Sequence, residues 1–320
     1  MPRISNTNDI LLDLLGPLLV LLLCPLYTGI LSKFRAMIEG RVGPKFLQPY
    51  FDLHKLSQKE IILPKNSSWI FKLFPYLSLG IMVFLSFVIP VFSSQSIFAN
   101  HSDLIFIFGL MLFVAFLSIL SAADAGTSFA YMGASREAFL VSLIEPTVLM
   151  VIMSLAIEFQ SSNLYQIVSK NISDKSFLNH PNMIFTAFAF LVIIIIECKR
   201  FPVDNPNTHL ELTMVHEALL LEYSGKYLAI LEYCSALKIT LLSSLFFSIF
   251  YPNGVSTSND LNSFGIAFLS WGLKMLAFAF LFALFEKSTG KLRIFRVPEL
   301  ISFSLAMAVI SIFAHYFTKV

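Results

Sequence analysis

The chain has 320 residues, of which 57% are hydrophobic and only 13% charged, about half the charged fraction of a water-soluble domain. A net charge of +2 supplies no basic field for nucleic acid. Cys24, Cys198 and Cys234 are scattered and form no CxxC pair, so they read as small apolar packing residues rather than ligands of an iron–sulfur cluster or structural zinc.

Apolar runs of about 20 residues, the length that crosses a bilayer, recur along the whole sequence. The first, Ile10 to Leu31, is too long for the core of a cleaved signal peptide and reads as a membrane helix. Eight spans are expected, at about 10–32, 70–92, 104–122, 139–158, 182–197, 227–250, 264–285 and 298–317, in a single membrane domain covering 1–320. The fold class is therefore an all-α polytopic membrane protein with eight transmembrane helices and amphipathic cytoplasmic loops. Pro17, Pro25, Pro75 and Pro146 fall in or beside spans, where a kink is tolerated if a neighbour satisfies the freed carbonyl.

The basic residues divide unevenly between the two faces. Loops 33–69, 123–138, 198–226 and 286–297 carry fifteen of the lysines and arginines, the opposite face carries four, and Lys72, Lys238 and Lys274 lie inside spans. The positive-inside rule makes the fifteen-residue face cytoplasmic and puts both termini outside, on the periplasmic side of a bacterial-type inner membrane. Loops 93–103 and 251–263 are short and rich in Ser and Asn, as turns are. Loops 33–69 and 198–226 are longer and mix charge with apolar residues, which suits docking of another protein.

Glu145, Glu197, Glu222, Glu232 and Lys238 fall within apolar runs or within about a turn of one. A charge near the bilayer centre costs at least about 2.5–3.5 kcal/mol, so such groups must be paired, hydrated or kept neutral. A carboxyl kept neutral in this way is what a proton relay requires. Glu197, beside Lys199 and Arg200, also admits a membrane-edge reading, and Glu158, at the end of its span, reads as an interface residue. Glu145 is well inside its run.

The stretch NPNTHLELTMVHEALLLEYSGK, residues 205–226, concentrates ionisable groups. As a helix from Thr208 onward it sets Glu211 and Glu222 eleven residues apart on one face and His209 and His216 on the opposite one. Thr208 and Glu211 also form a capping-box pattern, so Glu211 admits a purely structural role. His216-Glu217 lacks the second histidine of a zinc-protease helix, and no metal site is expected. The expected proton pathway comprises Glu145, Glu197, Glu211, Glu217, Glu222, Glu232 and Lys238, and nothing in the sequence supplies a redox centre.

Three stretches resemble one family, the membrane-arm subunit shared by respiratory complex I (its subunit 1, or H) and the group 4 membrane-bound hydrogenases. They are EGRVGPKFLQPYFDLHKLSQKE (39–60), GASREAFLVSLIEP (133–146) and ECKRFPVDNPNTHLELTMVHEALLLEYSGKYLAILEY (197–233). The extra residues between Asp204 and Glu222, Lys238, the element KLRIFRVPEL at 291–300 and the short first loop resemble the formate hydrogenlyase and hydrogenase-4 branch. The resemblance implies a subunit lying between a peripheral arm and antiporter-like membrane subunits. That arm would hold hydrogenase-like large and small subunits and a ferredoxin-like iron–sulfur protein, with iron–sulfur clusters and a nickel–iron centre in those partners and no cofactor in this chain. It further implies that Glu145, Glu197, Glu222 and Glu232 form the family's buried acidic chain. Arg41, Lys199, Arg200, Asp204 and Arg296 are the expected contacts to the peripheral arm. Hydrogen-evolving relatives need no quinone, so a quinone site of the complex I type is a rival expectation. A passive membrane anchor is another, and a stand-alone secondary transporter is disfavoured by the large inner loops.

Overall fold

A computed structural model describes residues 7–64, 67–93, 98–174, 182–204, 216–256, 261–290, 292 and 296–318. Among them the chain forms helices joined by short connections. These are α1 (Thr7–Ile38), α2 (Gln48–Ser57), α3 (Trp69–Val88), α4 (Leu104–Asp124), α5 (Ser128–Phe159), α6 (Leu164–Asp174), α7 (Asn182–Glu197), α8 (His216–Leu220), α9 (Gly225–Phe250), α10 (Leu261–Ser288) and α11 (Val297–Thr318). Seven of them, α1, α3, α4, α5, α9, α10 and α11, are long and apolar enough to cross a membrane. The remaining expected span coincides with α7, which is equally apolar but has only 16 residues.

Each apolar run becomes a helix because backbone N–H and C=O groups must pair internally where water is absent. Side chains fix where several helices begin. Ser68, Asp103 and Thr127 accept hydrogen bonds from the backbone N–H groups of Ile70, Ile105 and Ala130, satisfying donors that the first helical turn leaves open. The Thr127 cap starts α5 eleven residues before the expected span at 139, so Glu137 lies in a helix rather than in a loop.

Pro25 inside α1 and Pro75 inside α3 are answered by tyrosines. Pro25 cannot donate to the carbonyl of Leu21, and the Tyr233 hydroxyl of α9 donates to that oxygen instead at 2.7 Å. Tyr50 of α2 donates to the next carbonyl, that of Leu22. Pro75 leaves the Phe71 carbonyl open, and Tyr223 donates to it at 3.1 Å while its ring stacks on Phe71 with centroids 4.0 Å apart. Two of these bonds tie the segment around α8 and α9 to the proline turns of α1 and α3, and the third ties α2 to α1.

The main core is shared by α1, α3–α7 and α9–α11, and α9 runs through it with most of its residues buried. A smaller cluster around Phe71, Phe74, Ala130, Ala134 and Tyr223 seals α3, α4 and the start of α5 beneath α8. Gly225 opens α9 at φ +56°, and a Cβ there would meet the carbonyl oxygens of Glu60 and Lys59 at 2.5 and 2.7 Å. Only glycine lets the loop after α2 cross so close.

Candidate functional site

The C-terminus of α7 builds the centre of the site. Its last turn closes with the Lys199 N–H on the Ile196 carbonyl and the Arg200 N–H on the Ile195 carbonyl, both at 3.0 Å. This is the double bond pattern of a helix that ends in a left-handed residue. That residue is Lys199, at φ +50°, where glycine is usual. The turn directs its ammonium back to α5, where it pairs with Glu137 at 2.8 Å, with side-chain exposures of 13% and 4%. Glu197, two residues earlier, pairs with Lys238 of α9 at 2.6 Å and is as deeply enclosed.

Two cavities flank these pairs. One, of about 80 Å³, has Glu197, Lys238, Ser78 and Cys234 in its wall. The other, of about 500 Å³, lies between α1, α2, α9 and the segment after α7, and Asp52, Lys199, Arg200, Asp204, Tyr223 and Glu232 line it. Cys198, Lys199, Leu220 and Ser235 border both. Burial pushes the Cys198 thiol up to about 12, so it stays protonated and apolar in character.

A second group of charges adjoins the cavity. Arg35 of α1 grips Glu286 of α10, donating from Nη2 at 2.9 Å, and Arg200 lies within electrostatic reach of both. Further out, Glu39 joins Lys287 and Arg41, the latter at 2.6 Å. The hydrogen bond from Lys287, followed by the nearby Arg41 and Arg35 charges, holds the Glu39 carboxyl below the usual carboxylate range. The charges thus run inward from the exposed Arg41 through Glu39 and Lys287 to the Arg35–Glu286 pair, where Arg200 opposes Arg35 and attracts Glu286.

Of the residues expected from sequence, Glu197 and Lys238 meet each other, and Lys199, Arg200, Asp204 and Glu232 gather at the large cavity. Asp204 is 3% exposed. Glu222 is half-buried in the turn after α8. That turn corrects the continuous helix expected through 222, because the helix stops at Leu220 and Glu222 is no longer on a common face with the earlier residues. Arg41 and Arg296 are exposed. Glu145 is exposed on the flank of α5, away from the enclosed pairs. Thr208, His209 and Glu211, and the side chains of His216 and Glu217, lie outside the described residues.

Sequence reasoning missed Glu137, Glu286 and Arg35. All three sit in stretches assigned to inner loops, where a charge calls for no explanation. The partner of Glu158, at the end of α5, was also missed: its side chain is 5% exposed and pairs with His315 at 2.6 Å. Among the described residues no group of three His, Cys, Asp or Glu side chains comes together to hold a metal.

Comparison with known proteins agrees with this architecture. The family model described as NADH dehydrogenase matches residues 12–316. Hydrogenase-4 component C of Escherichia coli (strain K12) is 31% identical over 293 residues, 90% of each chain. Formate hydrogenlyase subunit 4 of the same strain is 29% identical over 296 residues, 91% of this chain and 94% of that one. A chain in the structure of the membrane-bound sulfane sulfur reductase, an archaeal respiratory membrane complex, superposes with a TM-score of 0.79 at 20% identity, covering 95% of this chain and 98% of its own.

Proposed function

The chain belongs to the NADH dehydrogenase family, the complex I subunit 1-like membrane proteins, and from that membership we propose that it couples electron transfer in a peripheral arm to proton translocation. It is the membrane subunit of a hydrogenase-4 or formate hydrogenlyase-like oxidoreductase complex. It anchors the arm on loops 33–69 and 198–226 and carries the proton step on its own ionisable groups. The redox centres, iron–sulfur clusters and a nickel–iron site, belong to hydrogenase-like large and small subunits and a ferredoxin-like subunit. Antiporter-like subunits flank it in an inner membrane, with both termini on the periplasmic side.

One observation carries this reading. Two nearly enclosed acid–base pairs meet at adjoining cavities: Lys199, paired with Glu137, lines both the larger polar cavity and the smaller one, and the Glu197–Lys238 pair lines the smaller. A passive anchor has no need of buried ion pairs, which cost desolvation and are often replaceable by apolar residues without loss of stability. Charge arriving in the arm acts on Arg200 and Asp204 at the cavity wall. The pairs then exchange partners or protons, and the change passes to Glu145 on the flank of α5, where a neighbouring membrane subunit covers it.

Glu145→Gln tests this in the assembled complex, because an exposed carboxyl can be neutralised without a packing change. Electron transfer is expected to continue while proton pumping is lost. Pumping at the parental ratio of protons to electrons overturns the reading. A quinone site is the second reading, since about 500 Å³ is within the range of small-ligand cavities. The several charged side chains in its wall suit water and protons better than an apolar quinone ring.

A further inference from the structure

The opposite end of the molecule holds a second enclosed set of ionisable and hydroxylic groups that the inner site does not use. It lies in the seam where α5, α7 and α11 pack together. Each helix contributes two polar side chains one turn apart: Ser154 and Glu158 from α5, Asn182 and Thr186 from α7, and Ser311 and His315 from α11. They form two rungs.

In the outer rung Glu158 Oε2 accepts from Asn182 Nδ2 at 2.5 Å and lies 2.6 Å from His315 Nδ1. In the inner rung the hydroxyls of Ser154, Thr186 and Ser311 lie 2.6 to 2.9 Å from one another. The Ser311 hydroxyl also bonds the Asn182 carbonyl at 2.9 Å, joining the rungs. About two turns deeper Ser304 bonds the Ala189 carbonyl at 3.0 Å, and Thr147 lies on the same stretch of α5. These groups are enclosed: Ser154 is 5% exposed, Asn182 2%, Ser304 1%, and Thr147, Thr186 and Ser311 0%.

We propose that this seam is a second proton site, a half-channel opening at the end that bears His315. Glu158 and His315 exchange a proton with the aqueous phase there, and the hydroxyls of Ser154, Thr186 and Ser311 relay it inward. The inference rests on the coupling role set out above and adds to it the half of the path that the inner cavity does not provide. Each step is a proton transfer between oxygen or nitrogen atoms. A hydroxyl takes a proton on one lone pair and releases its own on the other side, and nothing is oxidised or reduced.

A purely structural clamp is the competing explanation, because Ser and Thr commonly hydrogen-bond across membrane helices at about 0.6 kcal/mol each. Two observations go beyond a clamp. A clamp needs hydroxyls and has no use for a carboxyl and an imidazole enclosed against each other. Moreover, Asn182 Oδ1 and Thr147 Oγ1 are buried and meet no hydrogen-bond partner among the described residues. Buried acceptors left open in this way are where ordered water is held, and they lie at the two levels between which the hydroxyl rung sits.

The other described ionisable groups facing the Glu158–His315 pair are few. Lys170 of α6 bonds the Phe159 carbonyl at 2.5 Å, and Tyr316 of α11 meets the imidazole edge-on. The described part of α7 adds no ionisable group at that end. Inward of Thr147 the seam becomes apolar at Ile144, Leu140, Ile193 and Ile301, all buried. About 15 Å along α5 then separates Thr147 from Glu137, a dry barrier between the outer half-channel and the inner pairs.

The test uses the complete complex in liposomes, with an internal pH dye and a parallel measurement of electron transfer under uncoupler. Thr186→Val removes a hydroxyl while keeping volume, Thr186→Ser restores it, and Glu158→Gln removes the carboxylate while keeping its hydrogen bonds. Thr186→Val and Glu158→Gln are expected to lower protons moved per electron at least fivefold, with electron transfer within twofold of the parent and Thr186→Ser close to it. Glu158→Gln should also erase the dependence of proton movement on the pH bathing the His315 end. Parental proton movement with the parental pH profile in Thr186→Val and Glu158→Gln overturns the half-channel. If Glu145→Gln abolishes pumping while the seam variants do not, the inner reading stands and the outer one alone falls. If Glu145→Gln pumps normally, the inner reading has failed on its own test.

Discussion

Replacing Glu197 with Gln strands the Lys238 ammonium in a wall that leaves its side chain only 14% exposed. At the observed 2.6 Å the attraction between the two charges is about 6 kcal/mol for an effective dielectric constant of about 20. Desolvation of both ions offsets most of that in the intact pair, whereas removal of one partner leaves the cost without the gain, about 3–5 kcal/mol. Lys238→Met strands Glu197 in the same way. The double variant Glu197→Gln/Lys238→Met removes both charges and is expected to lie within about 1 kcal/mol of the parent, because similar-volume replacements of buried pairs are often neutral. Unfolding of the purified complex in mild detergent, followed by titration with a denaturing detergent, gives the four stabilities of the cycle. A coupling of at least about 2 kcal/mol is expected. Single variants that cost less than 1 kcal/mol, or a double variant that costs the sum of the singles, would refute the claim that these groups are enclosed and mutually dependent.

Lys199→Gly and Lys199→Ala both remove the ion pair with Glu137, so their difference reports the left-handed backbone at φ +50° alone. The glycine variant should be the more stable by about 1 kcal/mol, and equal stabilities in the same denaturation assay would contradict the geometry. Tyr233→Phe leaves the Leu21 carbonyl at the Pro25 kink without its cross-helix donor. A loss of about 1–3 kcal/mol is expected, measurable as a lowered thermal midpoint. Glu39→Gln probes the outer pair with Lys287. The Glu39 carboxyl titrates below its ordinary value in the folded chain, so its contribution is present above the unfolded value of about 4.3 and disappears as pH falls through the folded one. At 24% side-chain exposure the effect should stay under about 1 kcal/mol at neutral pH, and parent and variant should converge in acid. A gap that widens on acidification would reverse the assigned sign.

The helices were legible because the bilayer demands long apolar runs; helix ends were less so, since α1 runs six residues past the expected 32 and α5 begins eleven before the expected 139. There an apolar window stops at Arg136 and Glu137, while the helix, capped by Thr127, continues well outside it. The need to satisfy the carbonyls that Pro25 and Pro75 leave open was also legible, but not which groups would do so. Tyr233 reaches Leu21 from 212 residues away, and no local pattern encodes that distance. The partner of Glu158 was hidden for the same reason. Its position at the end of an apolar run is plain from sequence, but the arrival of His315, 157 residues later, is not.

What a single sequence does state is an obligation: a charge among apolar residues must be met by something. Glu197 and Lys238 meet that obligation within the chain. Glu145 does not, since it is exposed on α5 and has no ion-pair partner among the described residues. The same cost of at least about 2.5–3.5 kcal/mol that Lys238 offsets beside Glu197 must be met at Glu145 from outside the described residues, and a covering chain is the answer the proposed assembly predicts. A lipid-soluble carbodiimide, which reacts with protonated carboxyls in an apolar phase, should modify Glu145 in the separated subunit and spare it in the assembled complex. Equal labelling in both would mean that lipid faces Glu145 throughout, and the lateral step of the proton path would then have to leave α5 elsewhere.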